Sequence, residues 1–505
     1  MPKEKDNFLV KLESSNFLIG SFDAYRDETM ELIKTDSNLL DSDAEEIIDS
    51  MTNGFRAAIT SKDREYIGYI GLYDINFEEM SASIRFEVNR ELSLDKKKEI
   101  LDKFKKFLRL SANINVIDEI TYIASDKKLT ERMQKPSDIT IKRTIKPASP
   151  YLIECCDSKT LSYPFMISSN SPNTQKFLGV IGLSKVDYIN RCATLHIYLV
   201  DSPVDIAASN LPLPEIINKY VRYIHELNFH NVNIQVSESD KKVLDLLNRS
   251  EMKCCGEIPY SAFDGDELVS SIVFQHTPEM NKENGENAVI QNMSYPLSAI
   301  SSTMNLPESI EIGDYRILKP SLLSNENINS LLQGLMEAMK DRKRFVIPYG
   351  LDYRFIDKNF LEEELKKSSY IVLAPDDSFA GFINISEKNG RNVEAKFGFA
   401  QKINDLVNSG TIVNMFCNKL FSHGVASITI PVTAGSDIYK FLSKNTTANC
   451  ALNECSYLDS SYWDLYYYVI VNPDFNMQRQ QPPRENLVYY LSKPRDPRKA
   501  ANRGK

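Results

Sequence analysis

Three copies of one strand opening, each built around a glycine and answered at a fixed interval by an alanine, constrain this chain more than anything else in it. The first reads Tyr66-Ile-Gly68-Tyr-Ile-Gly71-Leu, the second Phe177-Leu-Gly179-Val-Ile-Gly182-Leu and the third Phe379-Ala-Gly381-Phe-Ile-Asn384-Ile. Fourteen residues after each glycine stand Ala82, Ala193 and Ala395, and each opens a second alternating strand. A helical stretch and a further short strand follow every time, so the repeated unit is a hairpin continued by a β-α-β crossover. The copies lie 111 and 202 residues apart. Solenoid repeats recur at roughly 20–50 residues, so these copies are tandem domains made by duplication.

The 505 residues leave room for such domains, since a chain of this length holds about three or four, each with its own core. The opening Met1-Pro-Lys-Glu-Lys-Asp-Asn has no apolar core, and no stretch reaches the ~18 apolar residues that a membrane span needs. The expectation is a cytoplasmic protein with no membrane partner. Eight cysteines include the vicinal pairs Cys155-Cys156 and Cys254-Cys255 but no C-x-x-C spacing, which points to reduced core thiols and no metal site. A formal net charge of −9 speaks against nucleic-acid binding by the body of the protein.

The expected organisation has a first unit over 1–147 with a degenerate C-terminal part and a second over 148–280. A linker rich in Asn, Ser, Glu and Pro follows over 281–310, then a third unit over 311–477 and a basic, disordered tail over 478–505. In the first unit, helices are expected over 28–34, 44–51 and 95–110, the last with Ile100, Leu101, Phe104, Phe107 and Leu108 on one face. The second unit is the most complete, with strands at 165–168, 176–186, 192–200, 231–236, 254–259 and 267–276 and helices at 215–227 and 240–248. In the third, a helix is expected over 327–339 and another over 411–421. The tail has more Lys and Arg than acidic residues and is the one stretch suited to an acidic partner or RNA.

The second unit resembles the GNAT acyltransferase superfamily, particularly its ribosomal-protein-alanine acetyltransferase branch. The residues that carry the resemblance are Phe177-Leu-Gly-Val-Ile-Gly-Leu-Ser-Lys-Val, Asn190-Arg-Cys-Ala-Thr-Leu-His-Ile-Tyr-Leu, Tyr220-Val-Arg-Tyr-Ile-His-Glu-Leu-Asn-Phe and Val236-Ser-Glu-Ser-Asp240. In that family an Asn opens the fourth helix and a Gly-Phe ends it; Asp240 and Glu251-Met252 hold those places here. The first unit resembles the same pattern up to its fifth strand, and the third through the repeat register. The fold implied is α/β with a mixed sheet, in three tandem GNAT-like acyl-CoA N-acyltransferase folds.

The resemblance implies acetyl-CoA or another acyl-CoA as cosubstrate and a small-molecule or peptide amine as acceptor. In the family the donor's pyrophosphate sits on backbone N–H groups at the start of the third helix, in a loop of pattern [R/Q]-x-x-G-x-[G/A]. Glycine lets the backbone approach closely, and the helix N-terminus offers free donors. All three copies depart from that loop. Glu91 and Asp95 bring negative charge in the first, and Pro212 and Pro214 remove donors in the second. The third keeps Gly410 beside the helix start. The donor site implied runs through Leu199 and Val200, Ser209 and Asn210, and Ser239 and Asp240 in the second unit, and Ser409, Gly410 and Thr411 in the third.

Candidates for the base and acid of the transfer project from the second strand of the repeat: Arg85 and Glu87, His196 and Tyr198, Lys396 and Gly398. Arg85, His196 and Gly398 all stand seventeen residues after the repeat glycine. Histidine suits a base near neutral pH, and His196, Tyr198 and Glu87 form the candidate catalytic set. A strand histidine is also an ordinary hydrogen-bonded residue, and alternating polar positions on a half-buried strand are common. The tyrosine that many family members use as thiolate acid falls on Leu247 in the second unit and near Ser443 in the third. His225 and His230 suit helix capping, and the tyrosines around Tyr462 and Tyr466 suit core and edge positions. Two readings follow: an acyl-CoA-dependent N-acyltransferase, or a noncatalytic binding scaffold of the same fold whose donor loops have been lost. A tandem aminoacyl-transferring ligase is a third, without the helical arm that some of those carry.

Overall fold

A computed structural model describes residues 10–37, 40–52, 55–76, 78–88, 92–124, 127–132, 144–145, 151–156, 158–171, 174–199, 213–264, 267–278, 286–289, 297–298, 306–323, 370–389, 392–399, 410–458, 461–473 and 488–491. The architecture is mixed α/β. In the first unit come β1 (Val10–Glu13), β2 (Phe17–Ser21), α1 (Arg26–Ser37), α2 (Asp41–Ser50), β3 (Ala57–Ser61), β4 (Tyr66–Asn76), β5 (Ser81–Val88), α3 (Leu94–Ala112), β6 (Val116–Ala124) and β7 (Lys127–Arg132). The seven strands lie side by side in chain order, antiparallel except for β5 against β6. Ala82, Ile84, Phe86 and Val88 alternate on one face of β5 and meet Ile100, Leu101, Phe104, Phe107 and Leu108 of α3, all buried. The opposite face is covered by α1 and α2, whose Ile33, Ala44 and Ile48 pack with Phe22, Met51 and Tyr69.

The second unit contains β8 (Thr144–Ile145), β9 (Tyr151–Cys155), β10 (Ser162–Ser171), β11 (Thr174–Asp187), β12 (Cys192–Leu199), α4 (Leu213–Glu226), β13 (Asn231–Ser237), α5 (Lys241–Asn248), β14 (Lys253–Asp264) and β15 (Glu267–His276). Its core seats Ile216, Ile217, Tyr220, Val221 and Ile224 of α4 against Ile181, Leu183, Ala193 and Leu195. Among the described residues no helix precedes its hairpin: Cys155 and Ser162 are bridged directly, where the first unit has α1 and α2.

After β16 (Glu286–Val289) and β17 (Leu297–Ser298), the third unit runs through β18 (Ser309–Ile312), β19 (Tyr315–Leu318), β20 (Tyr370–Leu373), β21 (Phe379–Asn389), β22 (Asn392–Phe399), α6 (Thr411–Ser422), β23 (Ser427–Thr433), α7 (Asp437–Asn445), β24 (Cys450–Leu458) and β25 (Ser461–Val471). The helix expected over 327–339 lies outside the described residues. Within the tail expected to be disordered, Val-Tyr-Tyr-Leu forms β26 (Val488–Leu491), antiparallel to β16 in the linker, as its β-branched and aromatic composition favours; the rest of the tail lies outside the described residues.

The repeat glycines have a common structural cause. In each unit the ladder before the hairpin slips by one residue beside the glycine. Ile59 faces Gly68 but Thr60 faces Tyr66; Ile167 faces Gly179 but Ser168 faces Phe177; Val372 faces Gly381 but Leu373 faces Phe379. One residue bulges out each time: Ile67, Leu178 and Ala380. The bulge presses the glycine onto the following strand. A Cβ would lie 2.1 Å from the Glu87 carbonyl oxygen at Gly68, 2.2 Å from that of Tyr198 at Gly179 and 2.4 Å from that of Gly398 at Gly381.

The equivalence of Gly398 with Arg85 and His196 needs correction. The parallel ladders pair Ala82 with Ile117, Ala193 with Val232 and Val393 with Ile428, so the third hairpin is two residues shorter and Val393 takes the place of the alanines. Counted from there, Lys396 is the counterpart of Arg85 and His196, and Gly398 that of Glu87 and Tyr198.

The second and third units share a seam. Gly256 of β14 pairs with Cys450 of β24, and a Cβ on Gly256 would lie 2.1 Å from the Asn449 carbonyl oxygen. Around this bridge Cys192, Cys255, Ile258, Val273, Cys450, Leu452 and Cys455 form one buried cluster. Beside it, Asn231 Nδ2 donates to Gln275 Oε1 at 3.1 Å and to the Asn453 carbonyl at 2.7 Å, while the Asn453 N–H donates to Gln275 Oε1 at 2.8 Å. The first unit docks through Glu78, whose carboxylate accepts from Tyr163 and Tyr188 and whose carbonyl accepts from the fully buried Arg191 at 3.1 Å.

Candidate functional site

Among the described residues, the second unit holds a fork between two parallel strands. β12 and β13 pair only at Cys192–Asn231, Ala193–Val232 and Thr194–Asn233. Beyond Thr194, β12 is held by β11 as far as Leu199, and β13 is held by β15 as far as Ser237. Each strand follows its outer neighbour and the two part. The third unit forks likewise, with β22 and β23 paired only from Asn392 to Glu394. The first unit does not: β5 and β6 stay paired from Ser81 to Phe86. A parted parallel pair leaves inward N–H and C=O groups without ladder partners, a ready seat for an extended amide-bearing chain.

His196 and Tyr198 stand on the prong of the second fork, on the face opposite Leu195 and the core, and both are exposed, Tyr198 by 57%. The bridge between β9 and β10 leaves them uncovered. It reaches Gly182, where an added Cβ would meet Leu161 at 3.1 Å. In the first unit the same face is closed: Arg85 donates to the Ile47 carbonyl at 3.4 Å and lies over the Tyr73 ring. Glu87, 1% exposed, accepts a hydrogen bond from the Tyr69 hydroxyl at 2.8 Å. Burial beside the Glu87 carboxylate pushes the Tyr69 phenol far above its usual range. Thus the structure separates the three catalytic candidates: His196 and Tyr198 share an open face, and Glu87 is sealed in another unit. Lys396 at the third fork is ion-paired with Glu394 at 3.3 Å.

Of the donor-site candidates, Leu199 ends the prong, and Val200, Ser209, Asn210 and Ser409 lie outside the described residues. At the tip of β13, Ser239 hydrogen-bonds Ser237 at 2.7 Å. Asp240 opens α5 as its N-cap, accepting from the Val243 N–H at 3.1 Å, so its carboxylate is occupied in holding the helix. Gly410, in the left-handed region at φ +71°, precedes Thr411 at the start of α6. A Cβ there would run into the Phe441 ring at 1.9 Å. Leu247 is fully buried, and the Ser443 hydroxyl donates to the Lys440 carbonyl.

The crotch of the fork was missed from sequence. Thr194 Oγ1 donates to Asn233 Oδ1 at 3.3 Å, and Asn233 Nδ2 donates to Asn231 Oδ1 at 3.1 Å. The alternation Thr194, His196, Tyr198 was visible, but Asn233 joins it only through the parallel register. The histidines beyond the site divide. His225 bonds the Phe229 carbonyl at 2.8 Å just past α4 and His276 Nδ1 at 2.9 Å, and burial takes its pKa down to about 4. Unlike the helix cap expected of it, His230 crosses the seam to Glu454 at 2.5 Å and stacks on Tyr462 at 4.2 Å.

No protein-family model matches the chain, and none of the curated proteins matches it in sequence. Parts of it are similar to solved acetyltransferases. A GNAT-family acetyltransferase from Bacillus anthracis aligns at 14% identity over 32% of this chain and 98% of its own, with a TM-score of 0.27. The N-terminal domain of a ribosomal-protein-alanine acetyltransferase from Clostridium acetobutylicum aligns at 16% identity over 27% and 96%, with a TM-score of 0.21. Spermidine N-acetyltransferase from Vibrio cholerae, solved with CoA and spermine, aligns at 16% identity over 23% of this chain, with a TM-score of 0.20. This chain spans 64% of that enzyme's length.

Proposed function

We propose that the chain is an acyl-CoA-dependent N-acyltransferase that works at the second fork, with the first unit as support. The observation that carries this reading is the parting of β12 from β13 after Thr194 beside an exposed His196. The pantetheine arm of CoA is an extended chain with two amides. Backbone groups of Leu195–Leu199 and Ile234–Ser237 are placed to pair with such an arm. The acceptor amine then attacks the thioester carbonyl, the C–N bond forms and the C–S bond breaks. His196 Nε2 or Nδ1 takes the proton that the amine loses, and the Tyr198 hydroxyl, exposed on the same strand face, gives a proton to the departing thiolate. Acetyl-CoA is the simplest donor and a small or peptide amine the acceptor. On the same reading Gly410 and Thr411, at the start of α6, belong to a second donor site at the third fork.

The first unit favours the other reading for itself. Its strands are paired through Phe86 and Tyr122, its candidate carboxylate is buried, and Asp95 brings negative charge to the first turn of α3. On this reading it keeps the order of strands and helices but lacks the seat.

Titration of the full chain with acetyl-CoA and desulfo-CoA, followed by backbone hydrogen exchange on the complex, tests the proposal. Saturable binding with protection at Leu195–Leu199 and Ile234–Ser237 is expected. Absence of binding at millimolar ligand, or protection confined to the third fork, overturns it.

A further inference from the structure

The four thiols in the seam play no part in the transfer. Two of them face each other from different units. Cys192 opens β12, and Cys455 lies in β24 where that strand slips out of register with β25 between Leu452 and Ser456. The slip includes Glu454 in the left-handed region at φ +52°, which turns the following residue toward the second unit. As a result Cys192 Sγ donates to the Cys455 carbonyl at 3.1 Å and lies 3.3 Å from Cys455 Sγ. They are separated by 263 residues of chain, yet their sulfurs are already in contact. The side chains are 7% and 5% exposed.

We propose that Cys192 and Cys455 are a modification site: a thiol pair that closes into a disulfide when the seam opens to a small-molecule disulfide, locking the second and third units together. A thiolate of the pair attacks one sulfur of the oxidant, breaking its S–S bond and releasing one thiol. The partner thiolate then attacks the protein sulfur of this mixed disulfide and releases the second thiol. Two protein thiols lose their protons and two electrons, and the oxidant becomes two thiols. Only the thiolate attacks, and a closed seam keeps both sulfurs from the solvent, so the rate of closure follows the opening of the seam. Reclosure re-establishes the contact, which favours this pair over a lasting mixed disulfide. A bond between residues so far apart in sequence removes much freedom from the unfolded chain. Because Cys192 lies two residues before the point where β12 leaves β13, the lock also fixes the base of the fork.

The test uses the folded full chain with oxidised glutathione, peptide mapping without reduction, and thermal unfolding. The expected result is a Cys192–Cys455 linked peptide and a raised unfolding midpoint, both reversed by dithiothreitol. Both are absent from Cys192→Ser and Cys455→Ser but retained in Cys255→Ser. Stable glutathione adducts at these positions, a bond between Cys255 and Cys450 in their place, or a midpoint shift that persists in Cys192→Ser would overturn the proposal. Should Cys192→Ser unfold, the linked peptide in the parent chain and its absence from Cys455→Ser decide alone.

Discussion

Gly179 lies so close to the carbonyl oxygen of Tyr198 that a methyl group on its Cα would sit 2.2 Å from it. The contact is made by backbone, so no side chain is available to move aside. Gly179→Ala is therefore expected to cost about 1–3 kcal/mol and to lower the denaturation midpoint of the second unit. Gly68→Ala should do the same in the first, whereas Ser184→Ala, at an exposed position on the same hairpin, should fall within about 0.5 kcal/mol of the parent. Equal midpoints for Gly179→Ala and the parent would remove the bulge as the reason for the repeat.

His196→Ala should reduce turnover by about 10²–10⁴-fold, the usual contribution of a general base, with unchanged circular dichroism and donor affinity. Parent-like turnover would take His196 out of the reaction.

Glu87 is expected to matter for stability alone. Removing its carboxylate leaves the buried Tyr69 hydroxyl without that acceptor, at a cost of about 1–3 kcal/mol. Tyr69→Phe combined with Glu87→Leu should recover part of that loss, and acyl transfer should follow the folded fraction in every variant. A fall in turnover per folded molecule would restore Glu87 as a catalytic group.

Asp240→Ala should destabilise α5 by about 1 kcal/mol through loss of the N-cap, while Asp240→Asn keeps the cap. If calorimetry finds the donor binding Asp240→Asn much more weakly than the parent, the carboxylate acts on the donor and not on the helix.

The His225 imidazole has a pH signature. Burial, aided by nearby His276 and His230 and opposed by the Phe229 carbonyl, lowers its pKa from 6.5 to about 4. The folded state therefore binds this proton less readily than the unfolded state. The stability it supports is complete above pH 6.5 and is lost as the pH falls through about 4, about 3 kcal/mol in all. Unfolding midpoints measured across that window should decline in the parent and flatten in His225→Gln. Parallel declines in both would assign the effect elsewhere.

The repeat was legible in the sequence because the bulge demands glycine and the hairpin demands alternation, and both are written locally. The apolar face of α3, from Ile100 to Leu108, was legible for the same reason, as was the start of α5 at Asp240. The shorter third hairpin was not, since Ala395 imitates Ala82 and Ala193 while the parallel partner, Ile428, chooses Val393. Nor was the fork. Whether β12 stays with β13 depends on how β11 and β15 hold each from outside, and those four strands are scattered from Thr174 to His276. The role of His230 depends on Glu454, in another unit, which no local pattern announces.

The buried amides of Asn231, Gln275 and Asn453 make the second and third units a single inheritance. Cut apart in the linker, each would carry into water a surface of thiols, amides and strand edge shaped only for the other. Recombination at that boundary, in a laboratory or in a genome, would then yield two pieces that fold poorly, although each retains a complete hairpin and crossover. Through the seam, two units that each carry their own hairpin become one indivisible piece.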